Sequence, residues 1–211
     1  MENNGDYNVT GITYDANGNI QTLKRNKNTE NGSNAMDDFT YDYKDDKPNQ
    51  LDYVHDEVDE TTNADDLKPQ NPGNYIYNSI GQLTTDLGED FAYVYNASGL
   101  VTEVNKVNGT PIVKFYYNDK NHRLKKKSYN TQSGALMTTT HYVRDASGTP
   151  LAIYNKQGTA PTELKEHTIY GANRLGVHYR QDGTDAYQLT DHLGNVRAVI
   201  VKNGENAVSL T

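Results

Sequence analysis

The stretch YDANGNIQTLKR, residues 14–25, combines a tyrosine, an aspartate, an Asn-Gly turn and spaced apolar residues in one short run. Related stretches begin at Tyr77 as YNSIGQL and at Tyr95 as YNASGLVTEV. In these three stretches a glycine follows the tyrosine by four positions, and these glycines are Gly18, Gly81 and Gly99. A fourth copy, YNDKNHRL at Tyr117, has Asn121 at that position. The chain therefore contains an internal repeat, which indicates an array of similar structural units.

Looser copies of the repeat extend the array along most of the chain. The eight anchor tyrosines are Tyr14, Tyr43, Tyr77, Tyr95, Tyr117, Tyr142, Tyr170 and Tyr187. Their spacing varies from 17 residues, between Tyr170 and Tyr187, to 34 residues, between Tyr43 and Tyr77. A helical repeat does not easily absorb such variation, whereas a hairpin repeat accommodates extra residues in loops at one end.

Each unit has the pattern of a β-hairpin. The segments that lead into the anchors place bulky residues two positions apart, as in Ile12–Tyr14, Tyr75–Tyr77 and Phe115–Tyr117. Residues two apart share one face of a strand, so neighbouring strands would stack these side chains into aromatic ladders. Asn17-Gly18 accepts the positive φ angles that tight hairpin turns need. The sequence predicts an all-β fold with almost no helix, in which consecutive antiparallel hairpins form one long curved sheet.

One spacing leaves two interpretations open. After the turn, apolar residues lie two and five positions beyond the glycine, as Ile20 and Leu23 do beyond Gly18. A spacing of three is not the alternation of a regular strand. Either a bulge shifts the face of the strand, or both faces of the sheet are partly covered.

The composition excludes several classes of function. The chain has 17 Tyr against 3 Phe and no Trp, so tyrosine supplies most of the aromatic bulk. It has no Cys, which excludes a disulfide framework and thiol catalysis. The net charge of -8 argues against nucleic acid as a partner, because phosphate binding needs a basic surface. The basic run Lys125–Lys127 is predicted to be a solvated strand end. No apolar run is long enough for a membrane span, and the N-terminus lacks an apolar signal segment.

Residues 44–73 interrupt the repeat with an acidic, proline-containing insertion. We expect a short strand near Leu51–Val54, followed by a long loop. A divalent cation held by Asp56, Glu57, Asp59 and Glu60 is the alternative interpretation of the acidic residues. No metal and no cofactor are expected elsewhere. Asp15 begins a partial calcium-loop pattern, but Gly18 stands too early for an EF-hand, and the six histidines lack paired metal-ligand spacing.

The stretch DHLGNVRAV, residues 191–199, is the most specific motif in the chain. Together with the repeats, which cover residues 7–204, it resembles the Rhs/YD-repeat family. The tyrosine-aspartate pair of that family is visible as Tyr14-Asp15, and asparagine often takes the second place in later copies. The residues that match the Rhs repeat-associated core are Asp191, His192, Leu193, Gly194, Asn195, Val196 and Arg197. The resemblance implies an array over residues 1–184 and a terminal, core-like repeat over residues 185–211.

The resemblance also implies a function. In bacterial members of this family, strips of β-hairpins spiral into a hollow shell that encloses a variable C-terminal toxin. The chain is then expected to be an open fragment of such a β-spiral shell, secreted or delivered to the cell surface. Its implied partners are neighbouring YD repeats and a C-terminal toxin domain. Unpaired sheet edges would further allow self-association.

Two other functional classes compete with the structural one. Asp191-His192 has residue types used in acid-base catalysis, but within this motif the pair is expected to set a turn, so we expect no enzyme activity. Exposed tyrosines stack on sugars, which makes a cell-surface carbohydrate-binding module the alternative function. Tyrosines that pack against neighbouring strands would favour the structural role, and open rings along a groove would favour glycan binding.

Overall fold

The computed structural model describes residues 5–28, 35–58, 67, 70–203 and 206–209. These residues form seventeen strands and no helix, which confirms the all-β prediction. The strands are β1 (Val9–Tyr14), β2 (Ile20–Asn26), β3 (Ala35–Lys44), β4 (Lys47–Asp56), β5 (Tyr75–Tyr77), β6 (Leu83–Asp86), β7 (Phe91–Tyr95), β8 (Val101–Asn105), β9 (Pro111–Tyr117), β10 (Arg123–Tyr129), β11 (Leu136–Arg144), β12 (Pro150–Gln157), β13 (Glu163–Tyr170), β14 (Arg174–Tyr179), β15 (Asp185–Thr190), β16 (Val196–Asn203) and β17 (Asn206–Ser209).

The strands belong to two sheets in which each strand neighbours the next one in sequence. One sheet has four strands in the order β1-β2-β3-β4, and the other has thirteen strands in sequential order from β5 to β17. The chain also divides into two compact units, residues 1–94 with 105–109, and residues 95–104 with 110–211. Consecutive antiparallel hairpins are thus the building principle, as the repeat predicts. A domain boundary before Asp185 stays a prediction, because β15 pairs with both β14 and β16.

The hairpin turns and the variable loops occupy opposite ends of the strands. Each odd-numbered strand from β1 to β15 leads through a short turn into the following even-numbered strand. The connections that leave the even-numbered strands vary in length, from two residues between β16 and β17 to residues 57–74 after β4. The irregular spacing of the repeat therefore arises in the loops at one end, as the sequence indicates.

The region around residues 44–73 contains more strand than the sequence suggests. β4 occupies Lys47–Asp56, so the connection begins only at Glu57. The side chain of Lys44 forms an ion pair with Asp52, and the other oxygen of that carboxylate accepts a hydrogen bond from the Gly73 amide. These contacts offset the acidic charge that points to a loop in the sequence. Asp59 and Glu60 lie outside the described residues.

A bulge explains the apolar spacing of three. Ile20 lies opposite Tyr14 and Thr22 lies opposite Thr13, so Gln21 is an extra residue on β2. Leu23 consequently returns to the face of Ile20. The same register shift occurs at the second residue of five other even-numbered strands, at Thr84, Leu124, Leu151, Leu175 and Arg197. The bulge interpretation is therefore confirmed.

Few side chains are fully buried. The buried hydrophobic residues among those described are Phe39, Val54, Val177 and Ala186. Val177 and Ala186 lie opposite each other on β14 and β15. Most other strand residues are half-buried. Because so little apolar area is buried per strand, we expect the hydrogen bonds between neighbouring hairpins to contribute a large share of the stability of the array.

Candidate functional site: the turn and anchor positions of the repeat

The residue after the anchor position builds the turn. At Asp15, the carboxylate oxygen Oδ1 accepts hydrogen bonds from the amides of Asn17 and Asn19, both at 2.8 Å. The backbone closes the same loop, because the Asp15 amide donates to the Asn19 carbonyl at 2.9 Å. This side-chain ring is an Asx turn, for which Asp and Asn are both suited. Six turns share the arrangement, at Asp15, Asn78, Asn96, Asn118, Asp145 and Asp191.

The fourth residue of each Asx turn adopts the left-handed conformation. The φ angle is 86° at Gly18, 86° at Gly81, 78° at Gly99 and 85° at Gly194. Asn121 takes the same place with a φ of 62°. Asparagine tolerates this region better than other residues with a Cβ atom. The replacement of glycine by Asn121 in the fourth copy is therefore conservative in backbone terms.

The anchor tyrosines connect one hairpin to the hairpin before it. The hydroxyl of Tyr43, at the end of β3, donates to the carbonyl of Ile20 on β2 at 2.9 Å. Three other anchors donate in the same way, Tyr77 to Leu51, Tyr117 to Val101 and Tyr170 to Pro150, at 3.0, 2.9 and 2.8 Å. Burial raises the pKa of Tyr43 and of Tyr77, so both hydroxyls stay protonated donors. We call this contact the tyrosine link.

Two repeats use a different residue at the strand end. Arg144 ends β11, and its Nε donates to the Arg123 carbonyl at 3.1 Å, which replaces the tyrosine link. Tyr142 lies two residues earlier and is half-buried. Thr190 ends β15, and Tyr187 lies three residues earlier with 42% of its surface exposed. In these two repeats the strand continues past the tyrosine. The residue that precedes the Asx turn is therefore Arg144 or Thr190, and not Tyr142 or Tyr187 as the sequence indicates.

The remaining anchors differ in exposure. Tyr14 ends β1, the edge strand of the four-stranded sheet, and is 58% exposed. Tyr95 ends β7 and is half-buried. Ring contacts within the strands link Phe39 to Tyr41 and Phe91 to Tyr93, with centroids 6.0 and 6.4 Å apart in edge-to-face geometry. These contacts run along a strand, whereas the predicted aromatic ladders would run across strands.

The core-like motif folds as another copy of the turn. Oδ1 of Asp191 accepts from the amides of Leu193 and Asn195, and the Asn195 side chain donates to the same carboxylate. His192 is exposed, and Leu193 is 75% exposed. Val196 opens β16 opposite Thr190, and Arg197 is the bulge residue. Asp191 therefore acts on the backbone, as expected, and its exposed neighbour His192 does not contact it in any described hydrogen bond.

Hydrogen bonding holds the turn aspartates ionised. The pKa of Asp15 and that of Asp191 are lowered, chiefly by hydrogen bonds from the side chains of Asn19 and Asn195, with help from backbone amides. The pKa of Asp145 is lowered chiefly by the Ser147 hydroxyl. A carboxylate that accepts several N–H and O–H donors favours its charged form. The same oxygens are then unavailable to a cation, which argues against a calcium loop at Asp15.

No cluster of three or more potential metal ligands occurs among the described residues. The Oδ1 atom of Asp56 accepts from the amides of Asp38 and Val58, and Glu57 lies 3.1 Å from His55. The fold does bring two histidines together that the sequence separates. The rings of His167 and His178 stack with centroids 4.7 Å apart, and His178 Nδ1 lies 2.7 Å from Asp185. Sequence spacing could not reveal this pair, because it depends on the register between β13 and β14.

The basic run occupies the interior of a strand. Lys125–Lys127 lie within β10 rather than at its end. The ammonium groups of Lys125 and Lys127 lie 4.0 and 5.7 Å from the ring centre of Tyr116, on one face. Such cation-π contacts favour the lysine positions without an acidic partner. Within the described part of the chain there is also no helix that is long and apolar enough to cross a membrane.

Comparisons with known proteins give weak similarities. No family model matches the sequence, and no curated protein matches it. Similar solved structures include TcdB2-TccC3 without its hypervariable C-terminal region, at 11% sequence identity and a TM-score of 0.30, with 94% of this chain and 14% of that chain covered. The Photorhabdus luminescens Tc holotoxin pore with a mutated TccC3 is 12% identical, with a TM-score of 0.35 and 92% and 14% covered. The chain thus spans about a seventh of the length of these chains.

Proposed function

We propose that the chain is a non-catalytic structural segment of an Rhs/YD-repeat protein and forms part of the wall of a shell. The observation that carries this proposal is the tyrosine link. Four anchor hydroxyls donate to a carbonyl of the preceding hairpin, and Arg144 makes the equivalent bond in a fifth repeat. A side chain used in this way serves the array itself, and repetition of such links suits an extended wall.

The partners follow from the sequence resemblance. Neighbouring YD repeats would pair with the strand edges, and a C-terminal toxin domain of the full-length protein would be the enclosed cargo. The protein would be secreted or delivered to a bacterial cell surface. No cofactor is needed for this role.

The proposal includes the absence of enzyme activity. The Asp191 carboxylate is engaged with the amides of Leu193 and Asn195, and the neighbouring His192 is exposed. A general base must lie within hydrogen-bond reach of the proton that it abstracts, and no described hydrogen bond holds the His192 ring in a fixed position. Hydrolase or transferase turnover that disappears on His192→Ala, with the fold intact, would refute this part of the proposal.

Cryo-electron microscopy of the full-length protein from its natural source tests the shell role. The expected result is a wall of hairpins around a closed cavity that holds protein density, with the cargo resistant to added protease. An array that encloses no cavity, with every other domain equally sensitive to protease, would contradict the shell.

Glycan binding is the second candidate function. It is favoured by a single feature, a cleft in the second compact unit that is lined by polar side chains and by Tyr142 and Tyr179.

A further inference from the structure

The four consecutive strands β9 to β12 contain no Asp or Glu, although the chain as a whole has 28 acidic against 20 basic residues. The cationic residues of these strands are Lys114, Arg123, Lys125, Lys126, Lys127, Arg144 and Lys156. The two arginines serve the fold, because Arg123 lies over the Phe115 ring and Arg144 donates to the Arg123 carbonyl. The remaining cations are all lysines.

The register of the sheet places four of these lysines on one face, since residues directly opposite each other share a face. Lys114 on β9 lies opposite Lys127 on β10. Thr139 on β11 lies opposite both Lys127 and Lys156, so this row crosses four strands. Lys125 lies two residues before Lys127 and therefore points to the same side. We call the surface formed by Lys114, Lys125, Lys127 and Lys156 the basic face.

Three lysines of the basic face have no acidic partner. Lys114 forms an ion pair with Glu103 at 3.0 Å. Lys125, Lys127 and Lys156 take part in no ion pair within the part of the chain that the structure describes. Like charges on neighbouring strands repel each other and destabilise a sheet. An anion that binds the basic face would relieve this repulsion.

The aromatic residues of the face favour a peptide carboxylate over a nucleic acid as that anion. The ammonium groups of Lys125 and Lys127 lie 4.0 and 5.7 Å from the ring centre of Tyr116, so this ring is already occupied. Tyr154, which lies opposite His141 on the same face, is half-buried. Single-stranded nucleic acids bind through bases that stack on open aromatic rings. A carboxylate needs only N–H donors, of which each lysine offers three.

The dimensions of the basic face fit a short extended segment. Neighbouring strands lie about 4.8 Å apart, so the row from Lys114 to Lys156 spans about 14 Å. An extended polypeptide covers this distance with four or five residues, and its alternate side chains lie about 7 Å apart on one side. The flexible lysine side chains can adapt to that spacing.

We propose that the basic face docks a polypeptide segment of a partner protein, in an extended conformation, with Asp or Glu at alternate positions. The contacts are charge-assisted hydrogen bonds from the lysine ammonium groups to the carboxylates of the segment. This docking surface lies within the second compact unit. The proposal does not depend on the shell function.

An NMR titration of the whole chain at physiological ionic strength tests the proposal, with an octapeptide of alternating glutamate and serine as the probe. We expect saturable shifts of amide signals in β9 to β12. The same octapeptide with glutamine in place of glutamate should cause no such shifts. Lys127→Gln should weaken binding about tenfold, because it removes one charge-assisted hydrogen bond.

Lys126→Gln is the matched control. Lys126 precedes Lys127 on β10 and lies opposite Phe115, on the other face of the sheet, so the same change of charge should leave the affinity unchanged. If Lys127→Gln does not fold, Lys156→Gln on β12 replaces it, with a similar loss expected. The proposal is overturned if the glutamate peptide causes no saturable shifts in β9 to β12, if the variants on the two faces lose affinity equally, or if an octamer of deoxythymidine binds the face more tightly.

Discussion

At the residue scale, Gly194 occupies the left-handed position of its Asx turn for a conformational reason and not for lack of space. No heavy atom lies within 4 Å of a Cβ built there, and φ is 85°. Gly194→Ala should therefore destabilise the chain by about 1 kcal/mol through backbone strain without a steric clash. Urea unfolding measures the loss. Gly194→Asn is the control and should cost less, because Asn121 adopts this conformation in another repeat; equal losses for both would refute the strain argument.

The tyrosine link can be removed by deleting one hydroxyl. Tyr117→Phe eliminates the hydrogen bond to the Val101 carbonyl and should cost about 0.5–1.5 kcal/mol. Tyr116→Phe is the matched control, because Tyr116 precedes it on β9 and its hydroxyl makes no described hydrogen bond. Thermal unfolding of both variants gives the difference. Indistinguishable stabilities would mean that the link contributes nothing.

The turn aspartates make part of the array sensitive to acid. Because the folded-state pKa of Asp191 is lowered, its stabilising effect is complete above the unfolded pKa of about 3.9 and is lost as the pH falls through the lower folded value. The amide shift of Asn195, measured by NMR against pH, should follow this titration with a midpoint below about 3.9. The Leu100 amide, which donates to the uncharged Asn96 side chain, should show no such step. A midpoint for Asn195 above 3.9, or an equal step at Leu100, would contradict the assignment.

The residue-level pattern in the sequence predicted the turns better than the anchors. Tyrosine, Asp or Asn, and glycine at fixed spacing identify the Asx turn because all of its partners lie within five residues. Arg144 could not be identified in advance, since its role depends on the carbonyl of Arg123, far away in sequence. The stacked pair of His167 and His178 was missed for the same reason.

At the element scale, the bulge near the start of the even-numbered strands explains how apolar residues three positions apart lie on the same face of a strand. The spacing of Ile20 and Leu23 fits neither a regular strand nor a helix, and the sequence alone left the bulge as one of two interpretations. The register of β1 and β2 decides it, because Gln21 has no partner position of its own. Bulges also increase the local twist of a sheet, so their recurrence would bend each hairpin in the same sense.

We expect the chain to self-associate through the edge strand β1. All six residues of VTGITY are exposed, and none is charged or proline. An unprotected edge offers free N–H and C=O groups to a similar strand. Light scattering across a concentration series should show association of the wild-type chain, and Ile12→Lys should suppress it. Leu189→Lys introduces the same charge on β15, which lies between two strands, and should not. A strict monomer, or equal suppression by both variants, would contradict edge pairing.

At the scale of the whole molecule, the net charge conceals a strong asymmetry along the chain. Residues 1–109 contain 7 Lys and Arg against 20 Asp and Glu, whereas residues 110–211 contain 13 against 8. The overall charge of -8 is therefore an average of an acidic and a basic portion. Sequence reasoning from the total missed this asymmetry. Net negative charge therefore disfavours a nucleic-acid partner for residues 1–109 and not for residues 110–211.

In five repeats, the side chain at the end of the first strand joins the hairpin to the hairpin before it. Hydrogen–deuterium exchange of Tyr170→Phe, resolved strand by strand, measures whether this link holds neighbouring hairpins together. The hydroxyl of Tyr170 on β13 donates to the Pro150 carbonyl on β12, so the link joins two hairpins. We expect faster exchange in both β12 and β13 relative to the wild-type chain. Faster exchange confined to β13 and β14, with β12 unchanged, would contradict it.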